Sequence, residues 1–187
     1  MIPIRVDGSG VEPVTLGEMR AYLRLDPDDA SEDALVLRLA AAARAAVEIE
    51  TRRVLTPGRF RLMLTAWPGS GVLPVPLSPL VAVLHAGLVD ARGEVSELPD
   101  GLVRPGPDPW EAPCLLIGPD APSLTDRAAL IEVAAGCGGD GPPVPEPLAQ
   151  AVRLTAAAWF ENRGDAPALA LPPQAAALVA PHRRMRL

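Results

Sequence analysis

Hydrophobic and polar positions near the start of the chain predict two helices. Thr15 and Glu18 have the spacing of a capping box, in which the two residues satisfy each other's backbone amides at a helix start. A short helix follows them and is stopped at 25–27. A longer helix is predicted over 31–53, where the apolar residues recur at steps of four and three, the spacing of packed helices. These residues are Leu35, Leu39, Ala42, Ala46 and Ile49. We expect this stripe to pack against another helix.

The middle of the chain predicts strands and turns. Sixteen of the 23 prolines fall between Pro57 and Pro147, and proline is excluded from helix interiors and from central strands. Polar and apolar residues alternate over much of 59–67, which is typical of a strand with one buried face. Further strands are predicted over 80–89, 114–117 and 130–135. We therefore expect a β-rich insertion.

A second helical block is predicted after the glycine run 136–141. Pro145 and Pro147 suit the first turn of a helix, and Glu146 favours the positive end of the helix dipole. The apolar stripe that follows is formed by Leu148, Val152, Thr155, Ala156 and Trp159. A short apolar turn of helix over 172–181 and an arginine-rich end complete the chain.

Together these elements predict an α+β protein. Residues 1–56 and the C-terminal helix in 144–170 form a small helical bundle, and residues 57–143 form the insertion between them. The last segment, 171–187, is expected to leave the bundle as a tail. With 187 residues, of which 49% are hydrophobic, the chain can bury a core.

Composition and charge exclude several functions. All 17 basic residues are arginine, so lysine chemistry such as a P-loop or a Schiff base is excluded. The net charge of −6 argues against general affinity for nucleic acid, yet an acidic body lets DNA pass without sticking. No apolar run reaches the roughly 18 residues of a membrane span, and the N-terminus lacks the apolar stretch of a signal peptide. Cys114 and Cys137 lie far apart and indicate neither a disulfide framework nor a metal cluster.

Three patterns could indicate ligand binding, but each has a simpler explanation. The glycines in 136–141 fit a dinucleotide fingerprint, but Pro142-Pro143 follows where a helix N-terminus would receive the pyrophosphate. Acidic residues in 26–33 could bind a cation, although helix capping accounts for them. Neither His85 nor His182 has a Ser, Cys or Asp residue at a spacing that is typical of a catalytic site. The sequence therefore assigns no catalytic, cofactor-binding or metal-binding residue.

Three passages stand in a distinctive order: Val14-Thr15-Leu16 with Leu23-Arg24-Leu25-Asp26, the run 135–147 that leads into a helix, and the end 176–184. In this order they resemble the head-to-tail connector (adaptor) proteins of tailed phages. Within that family the chain most resembles the longer form with a β insertion, which also occurs in phage-like gene transfer agents. The resemblance covers nearly the whole chain.

The resemblance implies a structural role without catalytic residues or cofactors. It implies synthesis in the bacterial cytoplasm and a place in the neck of a virion or gene transfer agent particle. There, a ring of identical subunits, usually twelve, lies under the portal protein. The ring extends the DNA channel without binding DNA specifically and provides a platform for a tail-side stopper or neck protein. The alternative from another class is a small-molecule or nucleotide-binding enzyme domain.

The arginine-rich end has three interpretations. It could be a solvated terminus, a peptide that docks on the portal through its arginines and apolar side chains, or a weak contact with DNA. With the resemblance, we favour docking. The docking candidates are Leu178, Pro181, Arg183, Arg184, Met185, Arg186 and Leu187. The candidates for helix packing or for the ring interface are Leu35, Leu39, Ala42, Ala46, Ile49, Leu148, Val152 and Trp159.

Overall fold

The structure, a computed structural model, describes residues 1–8, 10–26, 28–162 and 170–184. Within them it contains four α-helices and two antiparallel sheets, which confirms the predicted α+β class. Tertiary contacts divide the chain into two compact units. The strand unit comprises Met1–Gly10 and Thr56–Pro142, and the helical unit comprises Val11–Leu55 and Pro143–Leu187.

In its described residues, 11–26, 28–55, 143–162 and 170–184, the helical unit contains four helices and one 3-10 turn. They are α1 (Leu16–Leu23), α2 (Asp33–Thr51), α3 (Glu146–Glu161), α4 (Pro173–Val179) and the 3-10 turn Ala180–His182. The predicted capping box is present at the start of α1. The Thr15 amide donates to Glu18 Oε2 at 2.7 Å, and the Glu18 amide donates to Thr15 Oγ1 at 3.2 Å. Because both side chains satisfy amides that lack a partner within the helix, the pair fixes the first residue of α1.

The core of the helical unit lies where α2 packs on α3 and α3 packs on α4. The buried residues of α2 are Val36, Ala40, Ala43, Val47 and Thr51. The predicted packing stripe of this helix is therefore displaced by one position from the face that the bundle buries. Alanines lie on both faces, so helical periodicity alone does not separate the two stripes. On α3 the buried residues are Leu148, Ala149, Ala151, Val152, Thr155 and Ala156.

The part of the strand unit that the structure describes, 1–8, 10 and 56–142, contains eight strands in two sheets. They are β1 (Ile4–Arg5), β2 (Gly58–Leu64), β3 (Val72–Pro74), β4 (Leu80–Asp90), β5 (Val95–Glu97), β6 (Val103–Pro105), β7 (Cys114–Ile117) and β8 (Arg127–Ala135). One sheet has the order β1-β2-β8-β4-β5 and the other the order β3-β7-β6. The four longest strands were predicted from the sequence. The other four have only two or three residues, too few for a period to be recognised.

Strand β2 shows why the larger sheet has one buried face. Its residues alternate strictly between buried and exposed, with Phe60 and Leu62 on the buried face and Arg59 and Arg61 on the exposed face. It pairs with β8 in a register that sets Leu62 opposite Ile131. Alternation at a period of two places Phe60, Leu62 and Leu64 on the core side, while Met63 lies on the exposed face with the arginines.

Residues 1–10 belong with the strand unit, although the sequence-based limits assign 1–56 to the helical part. The reason is a short edge pairing, in which Ile4 lies opposite Arg61 and Arg5 opposite Phe60. The Arg5 guanidinium strengthens this contact because its Nη2 donates to the Pro57 carbonyl at 2.6 Å. A two-residue strand leaves no periodic signal in the sequence.

Candidate docking and assembly surfaces

The described end of the chain folds back onto the helical unit. Ala175 and Val179 of α4 are fully buried, Leu178 is half-buried, and Pro181 and Arg183 are exposed. We expected this segment to leave the bundle as a tail. Its described part, 170–184, instead packs against α2 and α3, because α4 turns its apolar residues toward them.

Two hydrogen bonds fasten the C-terminal turn to the end of α2. Arg53 donates from Nε to the main-chain oxygen of His182 at 2.9 Å. The amide of Arg184 donates to the carbonyl of Thr51 at 3.1 Å. Thr51 is the last residue of α2, and the last carbonyls of a helix have no partner within it. The C-terminal turn therefore caps α2 from outside the helix.

An ion pair supplements these two bonds at the surface. Arg183 Nη2 lies 2.6 Å from Glu50 Oε2, with side-chain exposures of 49% and 43%. At such exposure an ion pair contributes between zero and about 1 kcal/mol. Arg53 is only 3% exposed, so the hydrogen bond from Arg53 to the turn is the more strongly shielded from water.

The predicted stripe of α2 lies at or near the surface of the helical unit. Leu35, Leu39 and Ala46 are half-buried, Ala42 is exposed, and the Ile49 side chain is 77% exposed. Two of the five stripe residues, Ala42 and Ile49, are therefore exposed at the surface.

The glycine run forms a self-contained loop rather than a nucleotide cradle. The Gly136 amide donates to the Pro79 carbonyl, the Gly138 amide to the Pro142 carbonyl and the Gly141 amide to the Gly138 carbonyl, at 2.9 to 3.0 Å. A phosphate site needs several backbone amides that point at the ligand. Three amides of this loop are already bonded within the protein, and α3 begins only at Glu146.

Two of the acidic residues before α2 cap turns, whereas the expected cap of the helix is absent, because the N-cap Glu32 makes no side-chain capping bond. Asp26 accepts from the Asp28 amide at 3.0 Å and Asp29 accepts from the Ser31 amide at 2.8 Å. The bond from Ser31 lowers the pKa of the Asp29 carboxyl from its ordinary value. Among the described residues no group of three or more His, Cys, Asp or Glu side chains could hold a metal ion.

A shallow apolar cleft of about 470 Å³ lies in the strand unit. It is lined by Pro79, Leu80, Val81, Pro109, Trp110, Asp140, Gly141 and Pro142. Asp140 provides the one carboxylate of this lining, and the other lining residues are apolar or glycine.

Three solved chains from gene transfer agent (GTA) particles share this fold over the full length. A chain in the neck of an empty GTA particle, computed with C6 symmetry, is 33% identical with a TM-score of 0.83. A chain in the virion of a native GTA particle is also 33% identical with a TM-score of 0.82. A chain in the neck of a native GTA particle, computed with C12 symmetry, is 32% identical with a TM-score of 0.78. Each match covers 100% of this chain and 97% of the other.

The chain belongs to the family of GTA neck connectors. The resemblance to head-to-tail connectors with a β insertion is thereby confirmed, and the enzyme alternative gains no support. No protein-family model matches the chain, and no curated protein matches it. Among the helices that the structure describes, none combines the length and the apolar character that a membrane crossing requires.

The predicted site residues of this connector fall into three groups. Leu178, Pro181, Arg183 and Arg184 lie together on α4 and the turn after it, whereas Met185, Arg186 and Leu187 lie outside the described residues. The five stripe residues of α2 lie at or near the surface. Leu148 and Val152 are fully buried in the bundle and Trp159 is half-buried. Leu148 and Val152 therefore act in helix packing inside the connector subunit.

The connector also carries a charged cluster on the exposed face of its larger sheet that sequence reasoning missed. Glu132 Oε1 accepts from Arg61 at 2.7 Å, and Glu132 Oε2 accepts from Arg59 at 3.0 Å. The bond from Arg61 is the main reason why the pKa of the Glu132 carboxyl lies below its ordinary value. The available signal was that Glu132 is the only charged residue inside the apolar run 128–135.

Proposed function

We propose that this protein is the structural connector that joins the portal of a gene transfer agent particle to its tail. The observation that carries the proposal is the full-length match, at 33% identity, to a chain of a GTA neck. A match over 100% of the chain includes the insertion as well as the bundle, so the likeness extends beyond a common helical core. Its role in the neck is mechanical, with no catalytic step.

In the proposed assembly, twelve copies form a closed ring. Two matching necks were computed with C6 and C12 symmetry, and a ring of twelve identical subunits is compatible with both. Such a ring needs a heterologous interface, in which one face of a subunit meets a different face of the next. The stripe Leu35, Leu39, Ala42, Ala46 and Ile49 supports the assignment of one of these faces. Burial of Ile49 by a neighbour would remove a large apolar side chain from water.

The second proposed contact joins the C-terminal segment to the portal. Leu178, Pro181, Arg183 and Arg184 would provide the described part of the docking surface, and Met185, Arg186 and Leu187 would extend it. Arginine forms strong, directional bonds with carboxylate and carbonyl oxygens, and a neighbouring apolar group adds shape complementarity. The partner surface on the portal is accordingly expected to be acidic with apolar slots.

The ring would extend the DNA channel and provide a platform for a tail-side stopper or neck protein. The net charge of −6 per chain supports passage of DNA without specific binding, because phosphate contacts require a basic surface.

Stoichiometry in purified particles tests the proposal. Particles would be isolated by density centrifugation, and this protein would be quantified against the portal by mass spectrometry. Equal copy numbers of connector and portal are expected in a neck with matched rings. A protein that stays in the soluble fraction as a monomer would contradict the proposal.

A further inference from the structure

Arg53 lies at the point where the end of α2 meets the C-terminal turn. We infer that Arg53 is a positioning residue for portal docking, which holds residues 180–184 as a preformed docking surface. The inference rests on the proposed docking of the C-terminal segment and adds to it how that segment is presented. On this view the portal receives a folded surface rather than a free peptide.

The first support is the type of contact that Arg53 makes. Its Nε donates to the main-chain oxygen of His182 at 2.9 Å, across 129 positions of the sequence. A bond to the main chain fixes the path of the backbone, whatever side chains the turn carries. The planar guanidinium fixes the direction of the hydrogen bond. Because Arg53 is only 3% exposed, water does not compete for this bond.

The second support is that the turn is held at several points. The Arg184 amide donates to the Thr51 carbonyl at 3.1 Å, and Val179, directly before the turn, is fully buried. The segment is thus anchored before, within and after the turn. Pro181 and Arg183 remain exposed on its outer side, where an acidic and apolar partner can reach them.

The third support is energetic. A free peptide loses backbone and side-chain freedom when it docks, and this loss weakens affinity by orders of magnitude for a segment of about five residues. A turn that is already fixed avoids most of that loss. The exposed ion pair of Arg183 with Glu50 adds little to the anchoring, whereas the buried bond from Arg53 acts within the turn itself.

The adjacent arginine provides a matched control. Arg52 is exposed, and Arg53 is buried. The experiment compares the wild-type protein with Arg53→Met, Arg53→Lys and Arg52→Met. One readout is hydrogen exchange of the amides of 180–184 relative to the cores of α2 and α3. The other is a titration of attachment to portal-bearing particles assembled without this protein.

Arg53→Met is expected to speed exchange at 180–184 and to weaken attachment by at least about tenfold, the loss that one charge-assisted hydrogen bond produces. Arg53→Lys keeps the charge and a donor, so it should recover part of both. Arg52→Met should change neither. If Arg53→Met unfolds the bundle, exchange at 180–184 and attachment are compared between Arg53→Lys and Arg52→Met. Faster exchange and weaker attachment for Arg53→Lys would support the inference, and equal values for the two variants would contradict it.

Faster exchange at 180–184 with normal attachment would overturn the inference and leave portal docking intact. Normal attachment after deletion of 182–187 would instead overturn docking by this segment. The two failures are therefore distinguishable in one titration.

Discussion

Arg53 and His182 are joined by a hydrogen bond of 2.9 Å, although 129 positions separate them in the sequence. This bond closes the helical unit, because it ties the end of α2 to the turn that follows α4. The part of the chain that we propose to meet the portal is therefore an integral part of the bundle in the structure.

Deletion of residues 182–187 should abolish attachment to portal-bearing particles while the protein still folds. The deletion removes the oxygen that Arg53 binds, so the free energy of unfolding should fall by about 1 to 3 kcal/mol. Chemical denaturation measures the stability, and sedimentation with particles measures attachment. A truncated protein that attaches normally would show that the portal contact lies elsewhere.

Ile49→Glu should prevent ring assembly without affecting the fold of the subunit. Ile49 is 77% exposed, so the change should alter the stability of the subunit by less than about 0.5 kcal/mol. A carboxylate buried at a subunit interface without a partner is strongly unfavourable. Copy number per particle, determined by mass spectrometry, provides the measurement.

The control for Ile49→Glu is Leu37→Glu on the same helix. Leu37 is 47% exposed and lies outside the proposed interface stripe. We expect Leu37→Glu to leave the copy number unchanged. Equal copy numbers for both variants and the wild type would refute the assignment of the stripe to the ring interface.

Val47→Ala should destabilise the subunit more than Ile49→Ala, although isoleucine is the larger side chain. Val47 is fully buried between helices, and Ile49 is exposed. Loss of two buried methyl groups and the resulting cavity cost about 2 kcal/mol, whereas truncation of an exposed side chain costs less than about 0.5 kcal/mol. Thermal and urea unfolding test the order, and the reverse order would place the core face of α2 on the other stripe.

Glu132→Gln should reduce stability at neutral pH, and the difference from the wild type should narrow as the pH falls. The folded pKa of Glu132 is lowered, mainly by the hydrogen bond from Arg61. The stability contributed by the ionised carboxylate is therefore complete above the unfolded pKa of about 4.3. It is lost as the pH falls through the folded value.

Urea unfolding at several pH values measures the effect of Glu132→Gln. Glu94→Gln is the matched control, because Glu94 is an exposed residue in the turn between β4 and β5. Its stability difference from the wild type should be small at every pH. A difference for Glu132→Gln that stays constant between pH 7 and pH 3 would contradict the role of the two arginines.

The sequence predicted the elements whose apolar pattern extends over many residues or whose first residue carries a local signal. The capping box of Thr15 and Glu18 marked the start of α1, and the alternation from Arg59 onward marked β2, because both signals are local. On α2, the predicted packing stripe was displaced by one position from the face that the bundle buries. Its stripes at Leu35 and at Val36 are similarly apolar, and only tertiary packing decides which one is buried.

The contacts that define the candidate docking surface could not be predicted in the same way. The bond from Arg53 to His182 joins residues that are distant in the sequence, and it ends on a main-chain oxygen that carries no sequence signal. The C-terminal segment was predicted to leave the bundle, but its described part packs on the bundle, and this choice also depends on contacts between distant residues. Its apolar side chains favour docking on a partner and packing on α3 equally well.

We propose that this protein forms a ring between portal and tail, and electron microscopy of the neck of the parent particle, with this chain fitted to the map, is the decisive experiment. We expect twelve copies in one ring, with α4 and residues 180–184 against the portal and the α2 stripe against the neighbouring subunit. A neck whose map has no ring that fits this chain, or a ring that meets the portal through another surface, would contradict it.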